Sequence, residues 1–466
     1  MAAKRRAGRL AAPAGAGVGF GTPEAASAAQ RRLGKTANNV SAPGQPDPAG
    51  GRERGRVREG AQPSLANHNG AQAPAVDPAE AQATAYDERR AARFRLRRVN
   101  GHVSALERVR KCGTPCSEVV GVKVTAGAAH YVGLSSCSSI WACAVCQATI
   151  RQARSEDLEN KTGVWMRAGN SLAMATFTVS HHEHDRLKAQ LNAMTTGFRK
   201  MQQGRRWQKF KDAYGLAGLT KAIEITHGEN GWHGHFHVLV WLREALEDDA
   251  ATERARRMED ELYAMWHKAA VKHGLGEPSR AHGVRVDPVR RGEAGARDLA
   301  KYIAKVQDKD TGKTHNAAME MTRVDLKSGR RKSRTPFQIL DDFSATGDAA
   351  ELALWNEYEK ATKGHKALTW TPDLVKELKK LLKEFGQDDD ERTDEEILEE
   401  ERDGEVAGFL SNRAFGRYIA RHLTRDHELL QAAKSGGWLA MVALCQSWGV
   451  PDEDLFRSPD QGRRAS

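Results

Sequence analysis

Apolar positions between residues 172 and 307 follow two periods. Period two marks strands, because alternate side chains share a face, and a spacing of three to four marks helices. Leu172–Ser180, Thr220–Thr226, Gly231–Trp241 and Gly283–Val289 alternate and predict four strands. Residues 184–213 carry Leu187, Leu191, Met194, Phe198 and Met201 at helical spacing, and residues 247–273 carry Leu262, Met265 and Trp266. A third helix is predicted over 293–307 on the stripe Leu299, Ile303 and Val306. The order is β-α-β-β-α-β-α, which predicts an α+β chain.

Its first six elements match the ferredoxin-like split β-α-β plan, an antiparallel sheet with helices on one face. That plan does not require its central strands to be neighbours in sequence, so a hairpin there is expected to mark an extended or modified version. The run from His227 to Gly231 is turn chemistry. A loop from Gly228 to Gly231 would set Glu224 opposite His235. A slip of one residue would send Glu224 to the other face.

On the second strand of that hairpin His235 and His237 share a face, while Phe236, Val238 and Val240 point into the core. With Glu224 opposite, a carboxylate and two imidazoles converge, a donor set suited to Mg²⁺, Mn²⁺ or Zn²⁺. His233 lies on the same face and competes with Glu224 for the third position. A His-apolar-His pair alone is a weak pattern and needs a partner elsewhere in the chain. The 293–307 helix offers one. Asp298 and Tyr302 are one turn apart on one face, flanked by Lys301 and Lys305. A tyrosine oxygen whose phenolate is favoured by nearby cations can attack phosphorus.

The flanks differ in composition. Residues 1–85 are rich in Ala, Gly, Pro and Arg, bury too little apolar surface to offset ordering, and predict a disordered basic tail. Residues 86–165 hold a basic helix around Asp87–Arg98, read either as phosphate contact or as a solvated face, and then a cysteine-rich segment. Five of the six cysteines fall between residues 112 and 146. Cys112 with Cys116 and Cys143 with Cys146 form turn-sized chelates that predict a closed structural zinc site. Cys137 is a fifth candidate and His130 a further one, so the four ligands stay open. Residues 341–387 predict a helical extension, 388–404 an acidic linker, and 405–466 a small helical C-terminal domain for DNA binding or self-association.

The net charge of +11 comes from 72 Lys and Arg against 61 Asp and Glu, and its basic clusters favour a polyanion. No run of about 18 apolar residues predicts a membrane span. The start of the chain lacks a continuous apolar stretch, and the cysteines suit a reducing compartment, so a cytoplasmic location is expected. No Walker-type phosphate loop is present in the sequence, so no helicase motor is expected.

Three motifs, Phe177-Thr-Val-Ser180, His233-Gly-His-Phe-His-Val-Leu239 and Asp298-Leu-Ala-Lys-Tyr-Ile-Ala-Lys305, resemble those of HUH endonucleases. The closer resemblance is to single-tyrosine rolling-circle plasmid replication initiators. Trp141–Cys146 and Arg334–Leu340 are similar to segments of that family's actinobacterial members. The resemblance covers residues 110 to about 370 and implies a nicking endonuclease domain over 166–340. It implies Mg²⁺ or Mn²⁺ on His235 and His237, attack by Tyr302 on single-stranded or hairpin origin DNA, and a 5′-phosphotyrosine intermediate. It also implies a host helicase and polymerase as partners. The acidic residue that activates water in this family is typically glutamate, and the shorter Asp298 stands here. A basic loop over Arg323–Arg334 is expected to contact phosphates. Two other readings compete: a relaxase or single-strand transposase with the same chemistry, and a zinc-containing DNA-binding regulator without catalysis. Relaxases usually place the tyrosine before the histidines, whereas Tyr302 follows them.

Overall fold

The computed structural model describes residues 78–125, 128–289, 333–389, 391–399 and 404–460. Its principal elements begin with α1 (Pro78–Val103), α2 (Glu107–Arg110), β1 (Val119–Thr125), β2 (Ala128–Val132), α3 (Ala144–Arg167) and β3 (Ser171–Phe177). The central part is α4 (Leu187–Met201), α5 (Arg205–Tyr214), β4 (Leu216–Gly228), β5 (Gly231–Leu242), α6 (Asp248–Lys272) and β6 (Val284–Val289). Then come α7 (Pro336–Thr346), α8 (Ala349–Thr362), β7 (Leu368–Trp370), α9 (Pro372–Glu384) and α10 (Asp394–Glu399). The last are β8 (Glu405–Ser411), α11 (Arg425–Ser447) and β9 (Leu455–Phe456).

The chain is α+β, as the periodicity predicts. One antiparallel sheet has the order β6-β3-β5-β4-β7, and a second has the order β2-β1-β8-β9. The hairpin forms in the register that its turn residues favour. Gly228 faces Gly231 and Glu224 faces His235. Its two strands are neighbours in the sheet, and β7 pairs with the other edge of β4.

Alternation sorts β3, β4 and β5 into two covered faces. Ala175, Phe177, Ile223, Phe236 and Val238 meet Leu191, Met194 and Phe198 of α4 and Trp266 of α6. Phe177 stands edge-on to Phe198 and Trp266, with ring centroids 5.2 and 5.7 Å apart. On the opposite face Leu172, Met174, Leu239 and Trp241 pack against Leu158 and Trp165 of α3 and Leu374 and Leu378 of α9.

Three predicted elements differ. The helix expected over 184–213 breaks after Met201. Gly204, at φ 90°, takes a conformation that a Cβ resists and turns the chain into α5. Within the extension expected to be helical, Gly364 at φ 86° follows α8 and Leu368–Trp370 joins the sheet instead. Pro372, fixed in φ, then opens α9. In the region expected to be a small helical domain, Glu405–Ser411 is a strand between β1 and β9. Its longer partner, β1, lies near the other end of the described chain, so no local period reveals it.

The segment Arg334–Leu340 has a local explanation. Thr335 and Gln338 form a reciprocal capping box on α7, Pro336 occupies its first turn, and Ile339 and Leu340 are buried. Arg334, expected to contact phosphate, is held by Asp342 at 2.6 Å and Glu351 at 2.8 Å. In α1, likewise, Arg95 pairs with Asp341, and Arg97 and Arg98 turn inward to Asp426. These three cations of the basic helix are engaged within the fold. No helix among the described residues is long and apolar enough to cross a membrane.

Lys221 is buried on the α4–α6 side, its Nζ 4.4 Å from the Phe236 centroid and 5.5 Å from that of Phe198. Burial pushes its pKa down to about 8. Between pH 8 and about 10.5 the unfolded chain therefore binds more protons than the native one, and stability rises with pH across that window. Lys221→Met should stabilise the protein by about 2–3 kcal/mol at pH 7, the difference shrinking toward pH 10.5. Urea unfolding at pH 7 and pH 10 measures both, and a variant no more stable at pH 7 would refute this account.

Candidate metal centres

The register of β4 and β5 places Glu224, His235 and His237 on the face opposite α4 and α6. Glu224 Oε2 lies 2.9 Å from His237 Nε2 and 3.2 Å from His235 Nε2. Adjacent ligand atoms about 2.1 Å from an octahedral ion would lie about 3.0 Å apart, so this donor set fits a small divalent cation. All three ligand atoms lie within 4.8 Å of one another, and Glu224 and His237 are buried. Thr176, opposite His237 on β3, has its Oγ1 3.4 Å from His237 Nδ1. That contact turns Nε2 toward Glu224, the outer-shell orientation usual for imidazole ligands.

β3 stops pairing with β5 at Phe177 opposite Phe236, so the strand edge beside the histidines needs another partner. Gln190 of α4 supplies it. Its Oε1 accepts from the Gly234 amide at 3.0 Å, and its Nε2 donates to the Trp232 carbonyl at 3.3 Å. A Cβ on Gly234 would sit 3.0 Å from Gln190 Oε1 and 3.4 Å from Met194 Sδ, so glycine there lets α4 close onto the strand. Sequence reasoning missed Gln190 and Thr176. A glycine between two strand histidines was the available signal of a close approach.

His233 stands outside the converging group. Its ring is paired with His181 at 4.6 Å and lies 5.1 Å from His235. Burial, reinforced by His235 and His181, pushes its pKa down to about 3. Tyr302, Asp298, Lys301 and Lys305 lie outside the described residues, as do the predicted 293–307 helix and most of the basic loop. The described residues stop at Val289, the end of β6, and resume at Ser333. Arg334 then exchanges backbone hydrogen bonds of 2.8 and 2.9 Å with His227 on the hairpin.

The second group consists of Cys112 after α2, Cys137, Cys143 at the N-cap of α3 and Cys146 in its first turn, all buried. Cys112 Sγ lies 3.6 Å from the sulfurs of both Cys143 and Cys146, and Cys137 Sγ lies 3.7 Å from Cys146. Four thiolates about 2.3 Å from a tetrahedral ion would be spaced by about 3.8 Å, so the set fits zinc. Cys116 is exposed and outside the group. The reason is local pairing. Gly113 and Cys116 donate backbone hydrogen bonds to Ser135 and Gly133, which turns Cys116 outward and brings Cys137 in. His130 sits on β2 opposite Lys123 and is not in the group.

Crowding perturbs these thiols. Hydrogen bonds from Cys137, Cys143 and Cys146 hold Cys112 far below the ordinary thiol range, and the contact with Cys112 pushes Cys143 up. The buried Arg97 guanidinium lies against Gly113, where a Cβ would sit 2.5 Å from its Cζ. Burial opposes its charge, but Asp426 and then Cys112, Cys143 and Cys146 outweigh that and raise its pKa. It places a positive charge beside the four sulfurs. Asp426 is gripped at 2.6 and 2.8 Å by Arg98.

Fold and site together define an α+β protein with a buried four-thiol group and, separately, a carboxylate–imidazole group on a sheet face. The family described as Replication protein matches residues 135–418, and the chain belongs to that family. Among curated proteins it is similar to a "Protein rep" of Streptomyces lividans, 31% identical over 309 residues, which are 55% of this chain and 66% of that one. A "Neomycin resistance protein" of Streptomyces cyanogenus is 27% identical over 165 residues, 30% of this chain and 38% of that protein. A "Protein rep" of Bacillus sp is 41% identical over 96 residues, 20% of this chain and 28% of that one. The chain thus covers less than two thirds of the length of these relatives. No solved structure matches it significantly.

Proposed function

We propose that this protein initiates rolling-circle plasmid replication by nicking and rejoining single-stranded origin DNA as an HUH endonuclease. The observation that carries this reading is the convergence of Glu224, His235 and His237 on one sheet face, with His235 partly exposed. The order β6-β3-β5-β4 supports it, since it is compatible with the ferredoxin-like plan that the resemblance implies. So does membership of the replication-protein family.

Glu224, His235 and His237 would hold Mg²⁺ or Mn²⁺. The ion would supply Lewis-acid polarisation of a phosphoryl oxygen. Tyr302 Oη attacks the scissile phosphorus, and the P–O3′ bond breaks. The products are a 5′-phosphotyrosyl link and a free 3′-hydroxyl for the host polymerase. Lys301 and Lys305 favour the phenolate. Asp298 activates water to end the covalent state. Cys112, Cys137, Cys143 and Cys146 would hold a structural zinc that staples the segment before α3. A regulator without catalysis would leave the carboxylate–imidazole group without a use.

The test is incubation with single-stranded DNA from the protein's own origin region and Mn²⁺ or Mg²⁺, followed by denaturing electrophoresis. A covalent adduct that EDTA suppresses and Tyr302→Phe lacks is expected. DNA binding with no adduct, across metals and origin fragments, would favour the regulator.

A further inference from the structure

The break between α4 and α5 creates a corner that neither the metal group nor the cysteine group uses. Arg199, Lys200, Arg205, Arg206 and Lys209 are exposed there, with Lys211 half-buried beside them. Asp212 is the single acidic residue between positions 199 and 214. It is bonded by Gln208 at 2.8 Å. None of the six cations forms an ion pair among the described residues. Surface cations elsewhere do: Arg256 with Glu253, Lys379 with Glu391, and Arg243 with Glu377.

The arrangement works against the fold. Arg205 and Arg206 occupy the first turn of α5, which holds no acidic residue, so they face the positive end of the helix dipole. Arg205 and Lys209 are like charges one turn apart, a spacing that destabilises a helix. Such a cluster is relieved by an external polyanion. The aromatic residues of α5 decide which kind. Trp207, Phe210 and Tyr214 are turned into the core, so the corner presents charge without rings on which unpaired bases could stack. It suits a phosphate backbone whose bases are already paired.

Position supports a separate contact. The corner is on the α4–α6 side of the sheet, whereas Glu224, His235 and His237 are on the other side. α5 leads directly into Leu216, and Glu224 lies eight residue steps further along β4, roughly 26 Å at the rise of an extended strand.

We propose that the α4–α5 corner is a second DNA contact that grips the backbone of duplex DNA flanking the nick. The assignment rests on the nicking function proposed above. The test compares the full-length protein with Arg205→Gln/Arg206→Gln/Lys209→Gln. Binding to a hairpin with a long duplex arm is measured from 50 to 200 mM salt, and cleavage of a short unpaired oligonucleotide is measured separately. Three lost phosphate contacts should reduce the slope of log affinity against log salt by about 2.7. Across that salt range the wild type should lose about fortyfold more affinity than the variant. Cleavage of the unpaired oligonucleotide and the thermal midpoint should not fall. Equal slopes for variant and wild type would overturn the proposal, as would an equal loss on the unpaired oligonucleotide. Wild-type protein that forms no adduct on any origin strand would remove the nicking function, an outcome read independently of the salt slopes.

Discussion

His237→Ala should lower metal-dependent cleavage of an origin oligonucleotide by about 10³-fold or more and weaken Mn²⁺ binding in parallel. His237 is buried between two partners, Glu224 at 2.9 Å and Thr176 at 3.4 Å. Its removal deletes a ligand and strips Glu224 of a hydrogen bond in a buried position, which raises the cost of keeping that carboxylate ionised. Stabilisation by a bound cation is worth several kcal/mol, and each 1.36 kcal/mol is tenfold in rate. Thr176→Val removes only the orienting contact and should cost about 10–100-fold. Single-turnover cleavage and calorimetric Mn²⁺ titration give the two readouts. Unchanged Mn²⁺ affinity and rate in His237→Ala would remove this group from the mechanism.

Cys112→Ser should abolish zinc retention and unfold the segment from α2 to α3, while Cys116→Ser should change stability by less than about 0.5 kcal/mol. Cys112 touches two other sulfurs at 3.6 Å, whereas Cys116 is exposed and outside the group. Binding of structural zinc contributes on the order of 10 kcal/mol to folding of small zinc domains. That is comparable to the whole stability of a typical domain, so its loss cannot be absorbed. Zinc content per chain and the thermal midpoint separate the two variants. Identical behaviour of the pair would refute the assignment of Cys137 as fourth ligand.

What was legible in the sequence was whatever a short period or a turn could determine. Gly228 and Gly231 fixed the hairpin, and the hairpin placed Glu224 opposite His235. The choice of Cys137 over Cys116 was not legible, because it depends on residues 113–116 bonding to residues 133–135 across the intervening β1 and β2. Gln190 is the one polar position on the buried stripe of α4, and its role follows from where β3 stops pairing. β7 and β8 fall in stretches whose apolar content predicts helix, because their main partners are remote in sequence and local apolar content is all that a window reports. The Tyr302 motif, the plainest of the sequence signals, lies outside the described residues.

The insertion of β8 between β1 and β9 bears on how the protein is made. Val119–Thr125 leaves the ribosome early, yet its second hydrogen-bonded neighbour is Glu405–Ser411. Throughout most of translation the nascent chain carries an uncovered strand edge, the feature most prone to pair with another molecule. Fragments that stop short of residue 405 keep that edge permanently, so a truncated chain is a poorer candidate for expression than the intact polypeptide.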